Sequence, residues 1–553
     1  MEASWRRQQR RHQRTASSIG NWPFRRCFFD TTGQTLGTQA GFDAVIGNPP
    51  YVRQEALAAV KPYFEAAYQD VYSGVADLYV YFYQQAVRLL RQGGRLGYIT
   101  SNKWFRAGYG KGLRTYLAQQ LTLERIIDFG DAPIFADAIA YPSIIIGQRS
   151  PAPAAHQFPA LAWAAGTAVE DFAGLLEQQS IAVAQGDLAA DGWRLEAAEV
   201  VALLKKLRAT GTPLGEYVQG RFYYGIKTGL NEAFVIDRAT RDRLIAEHPS
   251  SAEIIKPFLR GRDVKRWRVE YEEQYLIKIE SSENRQHPWS NQPDDEAERI
   301  FAATYPAIAA HMTQHRAALI KRYDKGKYFW ELRSCDYWQE FEQPKIIIPA
   351  ITDTVSYAAD DMFYSNDKTS ICVTSEPYYL LSLLNSAVLY WFIQQTAAER
   401  QGGFLEFKPM YVTALPIPNA PAAEREAIGS LAMQITEIAQ QRYQLHERVR
   451  RRILSDLGGA GAKLNQKLTD WWKLDFAAFR SEVQKAFKHD IPLKDRDEWE
   501  EWLTTQRGKH DAHTAQIVHW ESDLNRRVYA LFDLTEAEIA LIEDSTKYEY
   551  GAV

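Results

Sequence analysis

Cysteine is nearly missing from these 553 residues: Cys27, Cys335 and Cys372 stand far apart and in no CxxC spacing. That excludes a disulfide framework and a thiolate zinc site, so a reducing, cytoplasmic setting with no bound metal is expected. No apolar run reaches the ~20 residues that a membrane span requires. The segment from Met1 to Arg14 is rich in arginine but holds no apolar core of the kind a secretory signal needs. Residues 1–30 read as a disordered basic leader, with an amphipathic arm as the alternative. An excess of basic charge is also lacking. The formal net charge is −4, so any nucleic-acid surface must be local. Internal repeats and low-complexity tracts are absent.

What remains is an ordinary globular composition, 46% hydrophobic and 24% charged, in a chain long enough for about two to four domains. Its most informative stretch is Phe42-Asp43-Ala44-Val45-Ile46-Gly47-Asn48-Pro49-Pro50-Tyr51. The apolar run is short, β-branched at Val45 and Ile46, and closed by Gly and Pro, which predicts a buried strand. The tetrapeptide then sits at the strand's carboxyl end, where open α/β sheets place their ligands. Two consecutive prolines lack N–H groups and have fixed φ, so the turn is stiff and its carbonyls stay available. Asn48 adds an amide oxygen and Tyr51 a flat face. Two aimed acceptors beside a stacking surface suit an amino group on an aromatic base. The plain alternative is a structural Pro-Pro turn. A chance match to all four residues is on the order of one in several hundred for a chain of this size.

The order of elements predicts α/β architecture. A helix is expected over Ala76–Arg91, ended by Gly93-Gly94, then a strand at Arg95–Thr100, a helix through Leu113–Leu121, and strands at Leu123–Phe129 and Ser143–Gly147. This alternation is one half of a doubly wound sheet. The Pro/Ala-rich piece Ser150–Ala155 reads as a linker. Past a helical bridge near Ala197–Arg208 the texture becomes short strands, at Phe222–Gly225, Ala233–Ile236 and Lys345–Pro349. Asn419 and Pro421 open a long helix with Ile428, Leu431, Ile435, Ile438, Leu445 and Val449 at 3-4 spacing, ended by Gly458-Gly459. That helix packs along its own protein or, alternatively, forms an intermolecular coiled coil. The expected divisions are 1–30, 31–180, 195–418 (β-rich) and 419–553 (helical).

The Asn-Pro-Pro-Tyr stretch resembles motif IV of amino-methyltransferases that use S-adenosylmethionine. Asp77–Phe82, Gly93–Trp104, Ile127–Gly130, Gly225–Asn231, Lys256–Asp263 and Val528–Glu536 extend the likeness over residues from about 40 to the end. Together they resemble the Taq-like, γ-class adenine-N6 DNA methyltransferases, in particular the C-terminal portion of type IIG restriction–modification enzymes and BREX-type methyltransferases. The resemblance implies a partial Rossmann-like methyltransferase sheet, a target-recognition domain and a helical close. It implies Asn48 and Pro49 as acceptors for the amino group of a flipped adenine, and Tyr51 as its stacking face. A second aromatic on the base's other face would be Phe135, with Tyr141 as runner-up. S-adenosylmethionine is the implied methyl donor and double-stranded DNA the implied partner.

One feature departs from the family pattern. Nothing before Phe42 offers the strand, glycine-rich turn and helix that hold the donor, and the string Gly108, Gly110, Gly112 comes too late, so it reads as a mobile loop near DNA. The expectation is therefore of a chain that begins mid-fold and binds the donor poorly alone, with a separate or upstream segment carrying the cofactor half. Lys227, Arg260, Arg262, Lys265 and Arg266 lie on two loops of the implied recognition domain, with Trp267 beside them, and are the candidate DNA contacts. A solvated charged face is the alternative. Three functions stand at this point: an adenine-specific DNA methyltransferase of a restriction or phage-defence system, a catalytically inactive DNA-binding specificity module or split-enzyme subunit, and a methyltransferase of RNA or of protein glutamine.

Overall fold

The computed structural model describes residues 24–553 apart from 131, 133, 136–140, 164–171, 191, 196, 398, 401–403 and 460. The chain forms two compact units, Met1–Leu204 and Lys205–Val553. The expected helical region, and the expected recognition region from Lys205 on, lie within the second.

In the first unit the expected strand forms as β1 (Phe42–Gly47). It is followed by helix α1 (Tyr79–Leu89), β2 (Leu90–Ser101), α2 (Lys111–Gln120), β3 (Leu121–Asp128), β4 (Pro142–Arg149), β5 (Gln157–Ala162) and β6 (Ile181–Ala184). The sheet order is β1-β2-β4-β3-β5-β6. β1 runs parallel to β2, with Val45 opposite Leu96. β4 is antiparallel to both its neighbours, and β5 is parallel to β3. α1 forms because Val80, Tyr83 and Val87 recur on one face, and that face is buried with Leu96, Leu123 and Ile126. Each such apolar side chain contributes about 1.5–3 kcal/mol on burial. The α/β reading of the sequence therefore stands, and the carboxyl ends of β1, β2 and β3 share one edge.

Local expectations fail where tertiary contacts decide. Residues 1–23 of the expected leader lie outside the described residues, but 24–30 are folded: Phe24 and Phe28 set their rings edge-on to Phe42, each at 5.3 Å. Gly93-Gly94 does not end α1. The helix stops at Leu89, and both glycines lie inside β2; a Cβ on Gly94 would meet the Phe42 carbonyl oxygen at 2.7 Å. The Pro/Ala-rich piece is a loop within one sheet, since β5 and β6 follow it. Ala233 and Phe234 close a helical turn, and only from Val235 does a strand begin.

The second unit holds small sheets and a helical layer. β7 (Phe222–Tyr224), β8 (Val235–Asp237), β9 (Ile255–Leu259), the hairpin β10 (Val264–Lys265) and β11 (Arg268–Val269), β12 (Gln274–Ile277), β13 (Lys345–Pro349), β14 (Ala358–Asp360), β15 (Tyr364–Ser365) and β16 (Thr369–Val373) are its main strands. They make sheets of order β15-β9-β12-β8 and β14-β13-β16-β7. The long helix α3 (Ala422–Leu457) packs against α4 (Arg496–Leu531) of the same chain, which is the intramolecular reading of its seam. Arg442, the polar interruption, is buried and donates to Thr514 Oγ1 at 2.8 Å and to the Gly551 and Val553 carbonyls at 2.9 Å. No described helix is long and apolar enough to cross a membrane.

Candidate functional site

The Asn48–Tyr51 turn leaves β1 at its carboxyl end. Pro49 is buried; Asn48, Pro50 and Tyr51 are exposed, Tyr51 by 40%. Among the described residues no donor reaches the Asn48 carboxamide or the Pro49 carbonyl. Both acceptors are uncommitted. The chain beyond them is pinned to the start of α1. Leu78 N–H donates to the Val52 carbonyl at 3.0 Å, and Gln54 N–H donates to Asp77 Oδ1 at 3.1 Å. Tyr51 lies 6.0 Å from Tyr79, ring to ring. The Tyr79 and Tyr109 hydroxyls are 2.7 Å apart behind it. Desolvation raises the Tyr51 phenol above its ordinary pKa, so the ring stays neutral. Asp77 falls at the start of the helix expected over Ala76–Arg91, and its contact with the Gln54 amide is long-range and had no sequence signal.

The neighbouring strand ends are cross-tied at the same edge. Asn102, just past β2, donates through Nδ2 to Asp128 Oδ1 at 2.7 Å, and Gly130 N–H donates to the same oxygen at 3.0 Å. Burial raises the Asp128 pKa, opposed by these two bonds. Asn102 N–H also donates to the Tyr141 carbonyl at 2.7 Å, and Lys103 Nζ sits 5.9 Å over the Tyr141 ring. Tyr141 is thus held at the carboxyl ends of β2 and β3, across β2 from β1. Phe135 is half-buried in the loop between β3 and β4, and among the described residues no hydrogen bond ties it to either strand end.

A nucleoside donor needs a cradle, and the described residues do not supply one. The Gly108–Gly112 string is neither a cradle nor a mobile loop. A Cβ on Gly110 would meet the Trp104 carbonyl oxygen at 2.1 Å, and one on Gly112 the Asp70 carbonyl oxygen at 2.7 Å. These glycines let backbones close on one another at the start of α2. No described strand lies beyond β1.

In the second unit the five basic candidates divide. Arg262 and Lys265 are exposed, by 69% and 40% of their side chains, with only loose 3.9 Å pairings. They line a cleft of about 740 Å³ with Arg260, Lys368, Ile351 and Phe404. Lys368, 71% exposed, was missed because it stands alone in the sequence. Arg260 is mostly engaged: it grips Asp263 through Nε and Nη2 at 3.0 and 2.9 Å and also pairs with Glu272. Arg266 turns inward. It is 4% exposed, pairs with buried Glu521 at 3.3 Å and lies 4.6 Å over the Tyr548 ring. Lys227 is set apart, paired with Asp324 at 2.8 Å, in a second cleft of about 430 Å³ beside Tyr224 and Arg333.

Comparison with known proteins gives three matched regions. Residues 2–135 match the Eco57I restriction-modification methylase family, 256–417 the TaqI-like C-terminal specificity domain, and 421–528 a domain of unknown function, DUF8810. The type II methyltransferase M.XhoI of Xanthomonas vasicola is 26% identical over 434 residues, covering 73% of this chain and 74% of that protein. M.PaeR7I of Pseudomonas aeruginosa is 28% identical over 418 residues, covering 71% and 68%. The type IIL restriction-modification enzyme MmeI, solved in complex with DNA, is 12% identical with a TM-score of 0.48, and this chain spans 57% of it.

Proposed function

We propose that this chain, which is similar to γ-class type II restriction–modification methyltransferases in its methylase and specificity regions, methylates the N6 amino group of adenine at a specific site in duplex DNA. The observation that carries the reading is the pair of uncommitted acceptors, Asn48 Oδ1 and the Pro49 carbonyl, on a turn that two prolines hold rigid. An exocyclic amine is a poor nucleophile because its lone pair is conjugated into the ring. Acceptors for both amino hydrogens favour the tetrahedral nitrogen and localise that pair. The effect is one of positioning and fixed dipoles. The base must first leave the duplex, and Tyr51 offers a face to it. The backbone tie of Tyr141 to Asn102 favours Tyr141 over Phe135 for the opposite face.

S-adenosylmethionine is the methyl donor proposed from kinship. Among the described residues no cradle for it is formed. Arg262, Lys265 and Lys368 suit phosphate contacts along the larger cleft, and Lys227 a separate contact. Arg266, buried and paired, holds the recognition region together instead.

The test is nucleoside analysis of DNA from a bacterium without adenine methylation that expresses this chain. N6-methyldeoxyadenosine is expected with the wild type and not with Asn48→Ala. Methylated cytosine, or equal labelling by both proteins, would sink the reading.

A further inference from the structure

We propose that Tyr323, on a basic loop of the second unit, is a wedge that enters a base step of duplex DNA and kinks it, with Lys321 and Lys327 on the phosphates to either side. The outward ring and the charge of the loop stand on their own observations; duplex DNA as the ligand rests on the DNA-methyltransferase reading above.

Exposure singles the residue out. Tyr323 is 97% exposed, and Ile320, at the end of the short helix Arg316–Lys321, is 45% exposed. The chain around the ring is pinned on both sides. Arg322 is buried, lies 4.5 Å over the Phe234 ring and donates to the Thr228, Phe329 and Glu331 carbonyls. Asp324 pairs with Lys227 at 2.8 Å, and a Cβ on Gly229 would meet the Asp324 carbonyl oxygen at 2.8 Å. Lys325 Nζ donates to the Ile320 carbonyl at 2.8 Å, and buried Tyr328 donates to the Gln292 carbonyl at 2.7 Å. The neighbours of Tyr323 are committed to the protein, and its ring alone is held outward. A backbone fixed in advance loses little freedom when a ligand covers the ring.

The charge of the loop selects the ligand. Between Arg316 and Arg333 six lysines and arginines stand against two acids, in a chain of formal net charge −4. Both acids are satisfied within the protein: Asp324 by Lys227, and Glu331 by the Ser282 N–H at 3.0 Å and Trp289 Nε1 at 2.9 Å. Lys321, Lys325 and Lys327 are exposed and hold no ion pair among the described residues. Asp324 also reaches Arg333 at 3.7 Å. Lys227 and Arg333 line the smaller cleft, so the basic surface runs on from that cleft to the loop. One flat apolar side chain set among cations suits a polymer of stacked bases flanked by phosphates. A second copy of this chain would set the same cations against one another across a twofold axis. A lipid surface calls for a wider apolar face than one ring and one isoleucine. Wedges act where stacking yields most easily, at pyrimidine–purine steps, so the loop would read DNA deformability.

The probe is the pool of duplexes, about 30 base pairs long with a dye at each end, that the full chain retains from a random library. Wild type should kink them by about 20–90°, read as a rise in energy transfer between the dyes, and the pool should be enriched in TA and CA steps. Tyr323→Ser should abolish the kink and weaken binding about tenfold. It should leave the salt slope unchanged, since no cation is lost, and the melting temperature unchanged, since the ring is in solvent. Tyr323→Phe should behave as wild type. Lys321→Ala should keep the kink and lower the salt slope by about 1. The wedge is overturned, with the DNA reading intact, if wild type binds without a kink, or if Tyr323→Ser binds and kinks as wild type does. It is equally overturned if Tyr323→Ser lowers the melting temperature, dissolves a dimer of the chain, or releases the chain from phosphatidylserine–phosphatidylcholine vesicles. Should wild type retain no duplex, the DNA reading falls and takes the wedge with it. A kink in DNA that never gains N6-methyladenine sinks the catalytic reading and leaves the wedge standing.

Discussion

The Asn48–Tyr51 turn and the Arg260–Arg266 stretch were both marked by residue type, and they differ in how far type decides use. The turn keeps its acceptors free because its geometry is local: prolines fix φ and remove competing N–H donors. The basic stretch has no such protection. One turn of chain puts Arg260 on Asp263, leaves Arg262 in solvent and sends Arg266 onto Glu521, which is 255 positions away and wholly buried. A stiff motif carries its local geometry with it, whereas a charge takes the role its tertiary partner allows.

Arg266→Ala should give the largest effect and break the comparison most directly. Glu521 would keep its bonds from Trp267 Nε1 at 2.7 Å and Gly551 N–H at 2.6 Å but lose its cation. Removing one member of a buried pair costs about 3–5 kcal/mol. Chemical denaturation of the second unit checks this; a loss under 1 kcal/mol would return Arg266 to the DNA candidates. Asn48→Ala comes next. With S-adenosylmethionine and DNA present, methyl transfer should fall about 10²–10³-fold, the size of a lost preorganised contact. The exposed site predicts an unchanged melting temperature, so a variant that merely unfolds would contradict the turn's assigned role.

Much of the fold was legible for the same reason that the turn was. β1, β13 and the span of α3 follow from period and punctuation over a few residues. What could not be read depends on distant contacts. Gly93 and Gly94 look like a helix stop but serve close packing against Phe42 inside β2. The Gly108–Gly112 string reads as a mobile loop near DNA, but Gly110 and Gly112 pack closely at a helix start. Around the proposed site the stiff Asn48–Tyr51 turn at the end of β1 was readable as local geometry, whereas Asp77 clamping Gln54 and Asn102 tying Asp128 and Tyr141 were not, since each joins residues from 23 to 39 positions apart.

The helical layer gives a smaller, pH-dependent effect that sharpens the point about buried polar groups. His446 Nε2 and His510 Nδ1 are 2.8 Å apart, under the Trp472 ring and near Arg442. Desolvation first, then neighbouring cations, lowers their pKa values to about 2 and about 4. Unfolded histidine binds its proton near about pH 6.5. The stabilisation is therefore complete above that pH and is lost as pH falls toward 4, at up to about 1.4 kcal/mol per pH unit for each histidine. Thermal melts between pH 7 and 4 should show the slope, and His446→Asn should flatten it. An unchanged slope would mean the pair is hydrated in solution.

The smallest effect belongs to the cations left in solvent, and it decides whether the cleft is a DNA surface. Arg262 and Lys368 hold no close partner that their removal would strand, so Arg262→Ala and Lys368→Ala should each change stability by less than about 0.5 kcal/mol. Their effect should lie in binding. A phosphate contact is a counterion released, so each substitution should lower the slope of log affinity against log salt by about 1 and weaken all duplexes alike. A base contact behaves otherwise: affinity falls for the cognate site alone, and the salt slope stays. Duplex titrations of both variants at several salt concentrations, with cognate and scrambled DNA, separate the two. If neither slope nor affinity moves while Lys227→Ala weakens binding, the DNA path runs through the smaller cleft beside Tyr224, and the Arg260–Arg266 stretch is structural throughout.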